Sequence, residues 1–306
     1  MQNSVTTSID PDSCIGCGLC VEVCPAKTIS MQGGRAVVTG TYSMACGHCE
    51  AVCPVAAIRV EALEHPFFLS SSAPEDRWLV PGEYDTGQLV RLMLSRRSCR
   101  NYKDKEIDPM LLEDLAKIGT TAPSGTNSQG WTFTILSSRK EVVTLGRQMA
   151  RFFLALNRMA AKPWIRLLSK IFAGDALGEY YRRYYETVRE GLLVWEREGR
   201  DVLFHGAVAA IVVGGRKSAS TPLEDALLAS QNIMLAAHSM GLGSCMIGFA
   251  VEAIRRDAQI RELLQISDAE SVYAVIALGY PAENYQKTGL RKKIVPRYPL
   301  ERKNPQ

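Results

Sequence analysis

The chain concentrates its cysteines near one end: of the nine in 306 residues, seven lie between Cys14 and Cys53. At this density, in a reducing compartment, thiols bind metal more often than they form disulfides. The N-terminus has neither the basic start nor the apolar core of a signal peptide. We therefore expect a cytoplasmic protein whose N-terminal module binds metal through cysteine.

The first cysteine run reads Cys14-Ile-Gly-Cys17-Gly-Leu-Cys20-Val-Glu-Val-Cys24-Pro25. Three thiolates spaced in this way can wrap around one iron–sulfur cubane, while the fourth turns away towards a second cluster. A shift of 29 residues lays Cys14–Ile29 over Ser43–Ile58, so the run is repeated with a serine in its first position. A four-ligand zinc site is the alternative, but two runs that each end in Cys-Pro fit it badly.

The repeated run resembles the two-cluster bacterial ferredoxins, in which the fourth cysteine of each run crosses to the other cluster. The resemblance implies two half-modules, each with a short helix after its cysteines, and two four-iron clusters. The ligands it implies are Cys14, Cys17, Cys20 and Cys53 for the first cluster, and Cys24, Cys46, Cys49 and the residue at position 43 for the second.

Position 43 is a serine, and this is where the run departs from the ferredoxin pattern. Ser43 could bind iron through its alkoxide, a hard ligand that should lower the cluster potential. Alternatively, another group or water could hold the fourth iron, or the site could hold a three-iron cluster. His48 lies inside the Cys46–Cys49 loop, where its ring is poorly placed to replace Ser43.

The sequence changes character after the cysteine module. Residues 63–85 are rich in breakers and are predicted to link an iron–sulfur domain of residues 1–62 to a larger domain of residues 86–306. A helical period from Thr86 leads to a basic cluster, which comprises Arg96, Arg97, Ser98 and Arg100. Arginine forks match phosphate oxygens, although such a cluster taken alone also suits a solvated basic face.

Asp108-Pro109 predicts the start of a helix, with a cap and a first-turn proline. Further motifs follow in order. They are the polar loop Ala122–Trp131, a helix predicted to start at a Thr221–Glu224 capping box, the turn and strand Gly241–Gly248, the strand Val272–Leu278 with Gly279-Tyr280-Pro281, and the basic Arg291-Lys292-Lys293. Four pieces in order resemble the FMN-dependent nitroreductase family over nearly all of residues 86–298. They are Arg-Arg-Ser-x-Arg, the Ala-Pro-Ser-Gly-x-Asn-x-Gln loop, the Gly-Leu-Gly-Ser-Cys turn and the Leu-Gly-Tyr-Pro end. The resemblance implies an α+β fold with a central, mainly antiparallel sheet flanked by helices. It also implies a homodimer with FMN in the subunit interface.

The resemblance further implies roles for particular residues. Arg96, Arg97, Ser98 and Arg100 would hold the FMN phosphate and ribityl chain, with Arg291 and Lys292 adding phosphate contacts. The loop residues Pro123, Ser124, Gly125 and Asn127 would approach the flavin from the partner subunit. Backbone at Ile247 and Gly248 would lie near the reactive edge of the ring.

A long segment, residues 147–200, has a helical period and is rich in basic and aromatic residues. It could be a lid over the flavin, a dimer-packing element or a membrane-surface helix. No apolar run is long enough to span a bilayer, and no basic stripe suggests nucleic acid. Cys99 and Cys245, which lack cluster spacing, are expected to be ordinary packing residues.

These features predict an oxidoreductase in which the cofactors carry the chemistry. Electrons from a low-potential donor would enter at the clusters, reach FMN and pass to a small organic acceptor, nitroaromatic or quinone-like. An alternative is that NAD(P)H or a substrate reduces FMN and the clusters pass electrons out to ferredoxin. A redox-sensing or flavin-handling binding protein is the alternative from another class.

Overall fold

The structure, a computed structural model, describes residues 4–63, 67–72 and 77–298. Two stretches of the predicted linker, residues 64–66 and 73–76, lie outside the described residues. The same holds for residues 1–3 and 299–306 at the two ends of the predicted domains.

The N-terminal module consists of short strands and one-turn helices. They are β1 (Thr7–Ile9), α1 (Leu19–Glu22), β2 (Ile29–Gln32), β3 (Arg35–Val38), α2 (His48–Ala51) and β4 (Ile58–Val60). Strand β1 pairs antiparallel with β4, and β2 pairs antiparallel with β3. Gly18 and Gly47, which are equivalent in the repeat, precede α1 and α2 with φ of 79° and 74°. Glycine adopts this left-handed conformation without strain, so the sequence repeat is also a structural repeat.

The larger domain is built around one sheet. Its elements are α3 (Thr86–Ser95), α4 (Pro109–Gly119), β5 (Trp131–Leu136), α5 (Arg139–Ala160), α6 (Pro163–Ala173), α7 (Ala176–Arg183), α8 (Tyr185–Glu198), β6 (Ala209–Arg216), α9 (Pro222–Ser239), β7 (Gly243–Met246), α10 (Gly248–Arg256), α11 (Ala258–Leu263) and β8 (Glu270–Gly279). The strand order is β5-β6-β8-β7, and every pairing is antiparallel. The expected α+β class with a central antiparallel sheet is confirmed.

Helices cover both faces of this sheet, which explains the apolar run in β6. Ala210 and Val212 belong to one core layer, with residues of α5, α10 and α11, whereas Ile211 and Val213 belong to the other, with residues of α4 and α9. Side chains alternate between faces along a strand, and here both faces of the sheet are covered by apolar side chains. The strand therefore shows no polar alternation in its sequence.

The segment of residues 147–200 is helical, as its period predicts, and comprises most of α5 together with α6, α7 and α8. Helix α5 begins earlier, at a capping box in which Ser138 and Glu141 satisfy each other's backbone N–H groups. Helix α6 leaves an apolar face exposed, formed by Trp164, Leu167, Leu168, Ile171 and Phe172. None of the helices in the described part of the chain combines the length and apolar character that a bilayer crossing requires.

Two predicted helix starts had different outcomes. Helix α4 begins at Pro109, and the Asp108 carboxylate accepts from Met110 N at 2.9 Å, as predicted. The predicted capping box at Thr221 was wrong, because its side chain caps no backbone N–H of α9. The Thr221 hydroxyl instead donates to Asp225 Oδ1 at 2.8 Å, so a nearby carboxylate takes the group that would have capped the helix.

Part of the predicted linker is fastened to the larger domain. Ser70 N and Ser71 N donate to the two carboxylate oxygens of Asp114 at 2.9 and 2.8 Å. Asp114 is fully buried on α4. Burial raises the pKa of Asp114, but the hydrogen bonds from Ser70, Ser71 and Lys117 outweigh it, so the pKa lies below its ordinary value. An ionised Asp114 therefore holds the linker in place.

Candidate functional site

Two small cavities in the N-terminal module are lined by cysteine, and each draws on both halves of the repeat. The first is lined by Cys14, Cys17 and Cys20 of one run and Cys53 of the other. The second is lined by Cys46 and Cys49 together with Cys24, and Ser43 lies in the same wall. The fold thus assembles the two crossed ligand sets that the ferredoxin resemblance implies.

Equivalent backbone groups point at the two crossing sulfurs. Thr28 N donates to Cys24 Sγ, and Ala57 N donates to Cys53 Sγ, both at 3.3 Å. Burial raises the pKa of Cys24, but the hydrogen bonds led by the one from Thr28 N bring it below the ordinary value. Such bonds stabilise thiolate over thiol, which is the form that binds iron.

Ser43 occupies the position that the repeat assigns to a fourth ligand. The residue is buried, with 8% of its surface exposed, and its Oγ accepts from Ala45 N at 3.0 Å. His48 also lines this cavity, although it is an exposed residue at the start of α2. Within the described residues, no group of three or more His, Cys, Asp or Glu side chains converges tightly enough to hold a single metal ion. The donors instead surround a space, which fits a multi-iron cluster.

The basic cluster lies where α3 ends beside the edge strand β7. Arg96 follows the last residue of α3, Ser98 forms a bridge to Ser244 of β7, and Cys99 N donates to Ser244 O at 3.0 Å. Cys99 and Cys245 are both buried, and burial raises the pKa of Cys99 to about 11. A protonated, packed thiol agrees with the structural role expected for Cys99.

Two arginines from distant parts of the chain meet at a glycine. A Cβ placed on Gly289 would lie 2.6 Å from Arg97 Nη1 and 3.0 Å from Arg291 Nη1. Arg97 also lies over the ring of Tyr285, 5.3 Å from its centroid. The structure therefore brings the basic C-terminal motif to the arginine cluster, as a phosphate site needs. Lys292 is exposed beside Arg291.

The pKa values of two histidines near the basic cluster are lowered by burial and by the positive charge of its arginines. Burial lowers the pKa of His238, and nearby Arg96 lowers it further. For His205, burial and Arg100 lower the pKa and outweigh the opposing effect of Asp201. Both imidazoles are therefore neutral near pH 7 and add no positive charge to this region.

Ser244 is a residue that pattern reading did not single out. Its Oγ is buried, and among the described residues it is the one such side-chain atom without a hydrogen-bond partner. An unpaired buried hydroxyl is costly, so the group is suited to a ligand that supplies the missing bond. Its position next to Ser98, which lies within the basic cluster's sequence, fits a polar anionic ligand.

The predicted flavin loop is held by a second missed residue, Asp225. Its buried carboxylate accepts from Gly125 N at 3.0 Å and from Ser128 Oγ at 3.2 Å. Ser124 Oγ accepts from Gln129 N at 3.1 Å, and Pro123 is exposed at the start of the loop. The sequence feature that could have identified Asp225 is its position as an acidic residue in the first turn of α9.

Asn127 at the end of this loop contacts the iron–sulfur module. Its Nδ2 donates to Met44 O at 3.1 Å and to Ala45 O at 2.9 Å, while its Oδ1 accepts from Gln129 Nε2 at 3.2 Å. The side-chain amide is therefore directed at the module rather than left free for a flavin in the same chain. Met44 and Ala45 lie directly between Ser43 and Cys46, so the contact is made on the wall of the second cavity.

Ile247 and Gly248 lie at the beginning of α10. The Ile247 side chain is buried in the core, and its N–H donates to Val275 O at 2.8 Å, so neither group is open to a ligand. Gly248 is exposed, and a Cβ placed there would meet no atom within 4 Å. The strand predicted over Ser244–Gly248 ends at Met246, and Gly248 is instead the first residue of the helix. The start of α10 thus has open space where a side chain at Gly248 would stand, and this is the positive end of the helix dipole.

Comparisons with known proteins identify the families that the two parts of the chain resemble. The model of the nitroreductase family matches residues 93–280, and that of the 4Fe-4S binding domain matches residues 7–30. An NADH dehydrogenase of Thermus thermophilus is 28% identical over 191 residues, which are 62% of this chain and 85% of the relative. A 4-nitrobenzoate reductase of a Nocardioides species is 26% identical over 232 residues, 69% of this chain and 88% of the relative.

A solved structure, an FMN-bound nitroreductase from Bacteroides fragilis, is 23% identical, with a TM-score of 0.48. The alignment covers 71% of this chain and 98% of that one. The nitroreductase match includes every element from β5 to β8, and the 4Fe-4S match includes the whole first cysteine run. This chain therefore belongs to the nitroreductase family of oxidoreductases and carries a 4Fe-4S binding domain at its N-terminal end.

Proposed function

We propose that the protein is an iron–sulfur flavoprotein that passes electrons between a low-potential donor and a small organic acceptor through two clusters and FMN. The carrying observation is the contact of Asn127 with Met44 and Ala45, which joins the wall of the second cavity to the predicted flavin loop. A module that only stabilised the fold would not need to place the wall of its second cavity against the predicted flavin loop.

The two cavities are assigned to two clusters. Cys14, Cys17, Cys20 and Cys53 would hold a four-iron cluster, because they supply four thiolates around one space. The second cavity supplies three thiolates and the Ser43 hydroxyl, so its cluster is either serine-ligated or three-iron. In either form the clusters supply one-electron transfer.

The larger domain is assigned to FMN. Arg96, Arg97, Arg100 and Arg291 would bind the phosphate, with Ser98 and Ser244 as hydrogen-bonding neighbours and Lys292 at the rim. FMN, when bound, supplies exchange between one-electron and two-electron chemistry. Gly248 leaves open space where a side chain would stand, so a bound group would approach the start of α10, where the helix dipole favours negative charge. The loop from Pro123 to Asn127 would complete the site from a partner subunit.

Electrons would enter at the clusters and leave from the flavin to a nitroaromatic or quinone-like acceptor. The relative named as a 4-nitrobenzoate reductase favours this direction. A second candidate is the reverse, in which NAD(P)H reduces FMN and the clusters reduce ferredoxin. The relative named as an NADH dehydrogenase favours this alternative.

Anaerobic titration of the purified holoprotein tests both directions. Reduced ferredoxin, added alone, is expected to bleach the flavin band, and a nitroaromatic compound is expected to restore it. Bleaching by NADH or NADPH but not by ferredoxin would support the reverse direction. A protein that contained no iron, or that took up no FMN, would contradict the proposal as a whole.

A further inference from the structure

We infer that electrons cross the subunit interface: the second cluster of one chain serves the flavin that is held by the arginines of the other chain. This inference rests on the proposed function. It also specifies the order of electron transfer: the external donor reduces the cluster of the first cavity, and the cluster of the second cavity lies between it and the flavin.

The first step is the contact within one chain. Asn127 donates to Met44 O and Ala45 O, and both of its side-chain polar atoms have partners. The backbone of its loop is fixed by the buried Asp225 carboxylate. The iron–sulfur module is therefore docked, through the wall of its second cavity, on the Pro123–Asn127 loop of its own chain.

The second step is that the arginine cluster of the same chain lies at the opposite corner of the sheet. The loop leads into β5, whereas Ser98 bridges to β7 at the other edge. Three strand spacings separate β5 from β7, which is about 14 Å.

The two corners are also offset along the strands. Ser98 is level with Ser244, which pairs with Leu278 and through it with Ala209 of β6, whereas Trp131 pairs with Gly215. The six positions from Ala209 to Gly215 add about 20 Å along the strand.

Helix α9 gives an independent measure of this separation. Asp225 in its first turn holds the loop, and His238 near its end lies close enough to Arg96 for that arginine to lower the pKa of the imidazole. Thirteen residues of α helix span about 20 Å. The loop and the arginines therefore do not form one continuous site within a chain.

These distances decide which flavin the docked module can serve. The flavin site that the loop completes must therefore contain the arginines of the partner subunit. Because the loop also contacts the wall of the second cavity, that cavity lies next to the partner's flavin site. Each cluster passes one electron at a time, so full reduction of one flavin takes two passages. The electrons come from two equivalents of a one-electron donor, which is oxidised, and two protons come from water.

Heterodimers with separately tagged chains test the crossing. In the first, one chain carries Cys46→Ala and the other carries Arg97→Ala with Arg291→Ala. In the second, a wild-type chain is paired with a chain that carries all three substitutions. Each heterodimer keeps one intact set of arginines and one intact second cluster, on different chains in the first and on the same chain in the second.

Flavin bleaching by reduced ferredoxin is followed anaerobically by stopped flow, with flavin content measured for each heterodimer. We expect rapid bleaching in the first heterodimer and its loss in the second. The opposite pattern, or equal rates in both, would overturn the crossing. If the wild-type homodimer showed no cluster-dependent bleaching, the proposed function itself would fail, and this outcome is distinct from the others.

A second measurement does not depend on electron transfer. Asn127→Ala is expected to increase amide hydrogen exchange at Met44–Cys46, because the module loses its docking bonds. Thr126→Ala is the matched control, because the Thr126 hydroxyl lies in the same loop but contacts Gly125 O and Ser220 Oγ rather than the module or Asn127. Unchanged exchange in the Asn127 variant would show that the module is not held on this loop, and the inferred route would then be wrong.

Discussion

Arg97 and Arg291, which are far apart in the sequence, bring their guanidinium groups to the same glycine, Gly289. In the part of the chain that the structure describes, neither guanidinium forms an ion pair, and two like charges held side by side repel each other unless an anion compensates them. The pair therefore indicates an anion site, and its most direct test is the affinity for FMN.

Arg97→Ala is expected to weaken FMN binding by about 10- to 100-fold, because one charge-assisted hydrogen bond to phosphate contributes about 1.5–3 kcal/mol. The dissociation constant is measured from the quenching of flavin fluorescence. Arg189→Ala, which removes an exposed arginine of α8 paired with Glu186, is the control and should leave FMN affinity unchanged. Equal affinities for all three proteins would remove Arg97 from the site.

Ser43→Cys is expected to give a fourth thiolate in the second cavity and hence a complete four-iron cluster. Chemical analysis should then find about eight irons per chain, the content of two four-iron clusters. If Ser43 ligates iron in the native protein, Ser43→Ala should lower the count to about seven and give a three-iron signal by electron paramagnetic resonance. A native protein and an alanine variant with the same count and spectra would show that Ser43 is not a ligand.

Asp225→Ala is expected to destabilise the loop, because Gly125 N and the hydroxyls of Thr221 and Ser128 lose their acceptor. Leaving a buried donor without a partner costs about 1–3 kcal/mol, which should appear as a lower midpoint of thermal unfolding. Glu224→Ala is the matched control, since Glu224 is an exposed acid in the same helical turn. Equal destabilisation by both substitutions would assign the effect to the helix dipole instead.

Asp114→Asn is expected to loosen the linker, since the amide is a weaker acceptor for Ser70 N and Ser71 N than the carboxylate. Faster amide exchange at these two serines is the measurement, and Glu113→Gln on the exposed face of α4 is the control. Because the folded-state pKa of Asp114 is lowered, the stabilisation is present above the unfolded pKa and is lost as pH falls through the folded pKa. Exchange that was the same in Asp114→Asn and wild type would show that the carboxylate does not hold the linker.

The sequence predicted the parts of the fold that depend on local spacing. The cysteine repeat implied crossed ligand sets, and the cavities contain those sets, because a shift of 29 residues preserves both the turns and the short helices. The helix start at Asp108 was readable for the same reason, since a cap and a proline act within one turn.

Long-range partners could not be read in this way. Thr221 looked like a cap because Glu224 stands three residues later, but the competing acceptor, Asp225, is recruited by a loop a hundred residues earlier. Nothing near Asn127 indicated that its amide would face Met44 and Ala45, because these partners lie 83 and 82 residues away in the sequence. Ser244 was unremarkable in sequence, since its missing partner shows only once β7 is packed.

The hydrogen bonds from Ser70 N and Ser71 N to Asp114 limit how far the iron–sulfur module can move from the larger domain. From Leu63 to Ser70 the chain can extend by no more than about 25 Å, so the module is confined to a small volume around its docking loop. In that volume its effective concentration is in the millimolar range. Two hydrogen bonds from one asparagine, too weak to hold two free proteins together, are then sufficient to keep the module on its docking loop while still allowing it to dissociate reversibly.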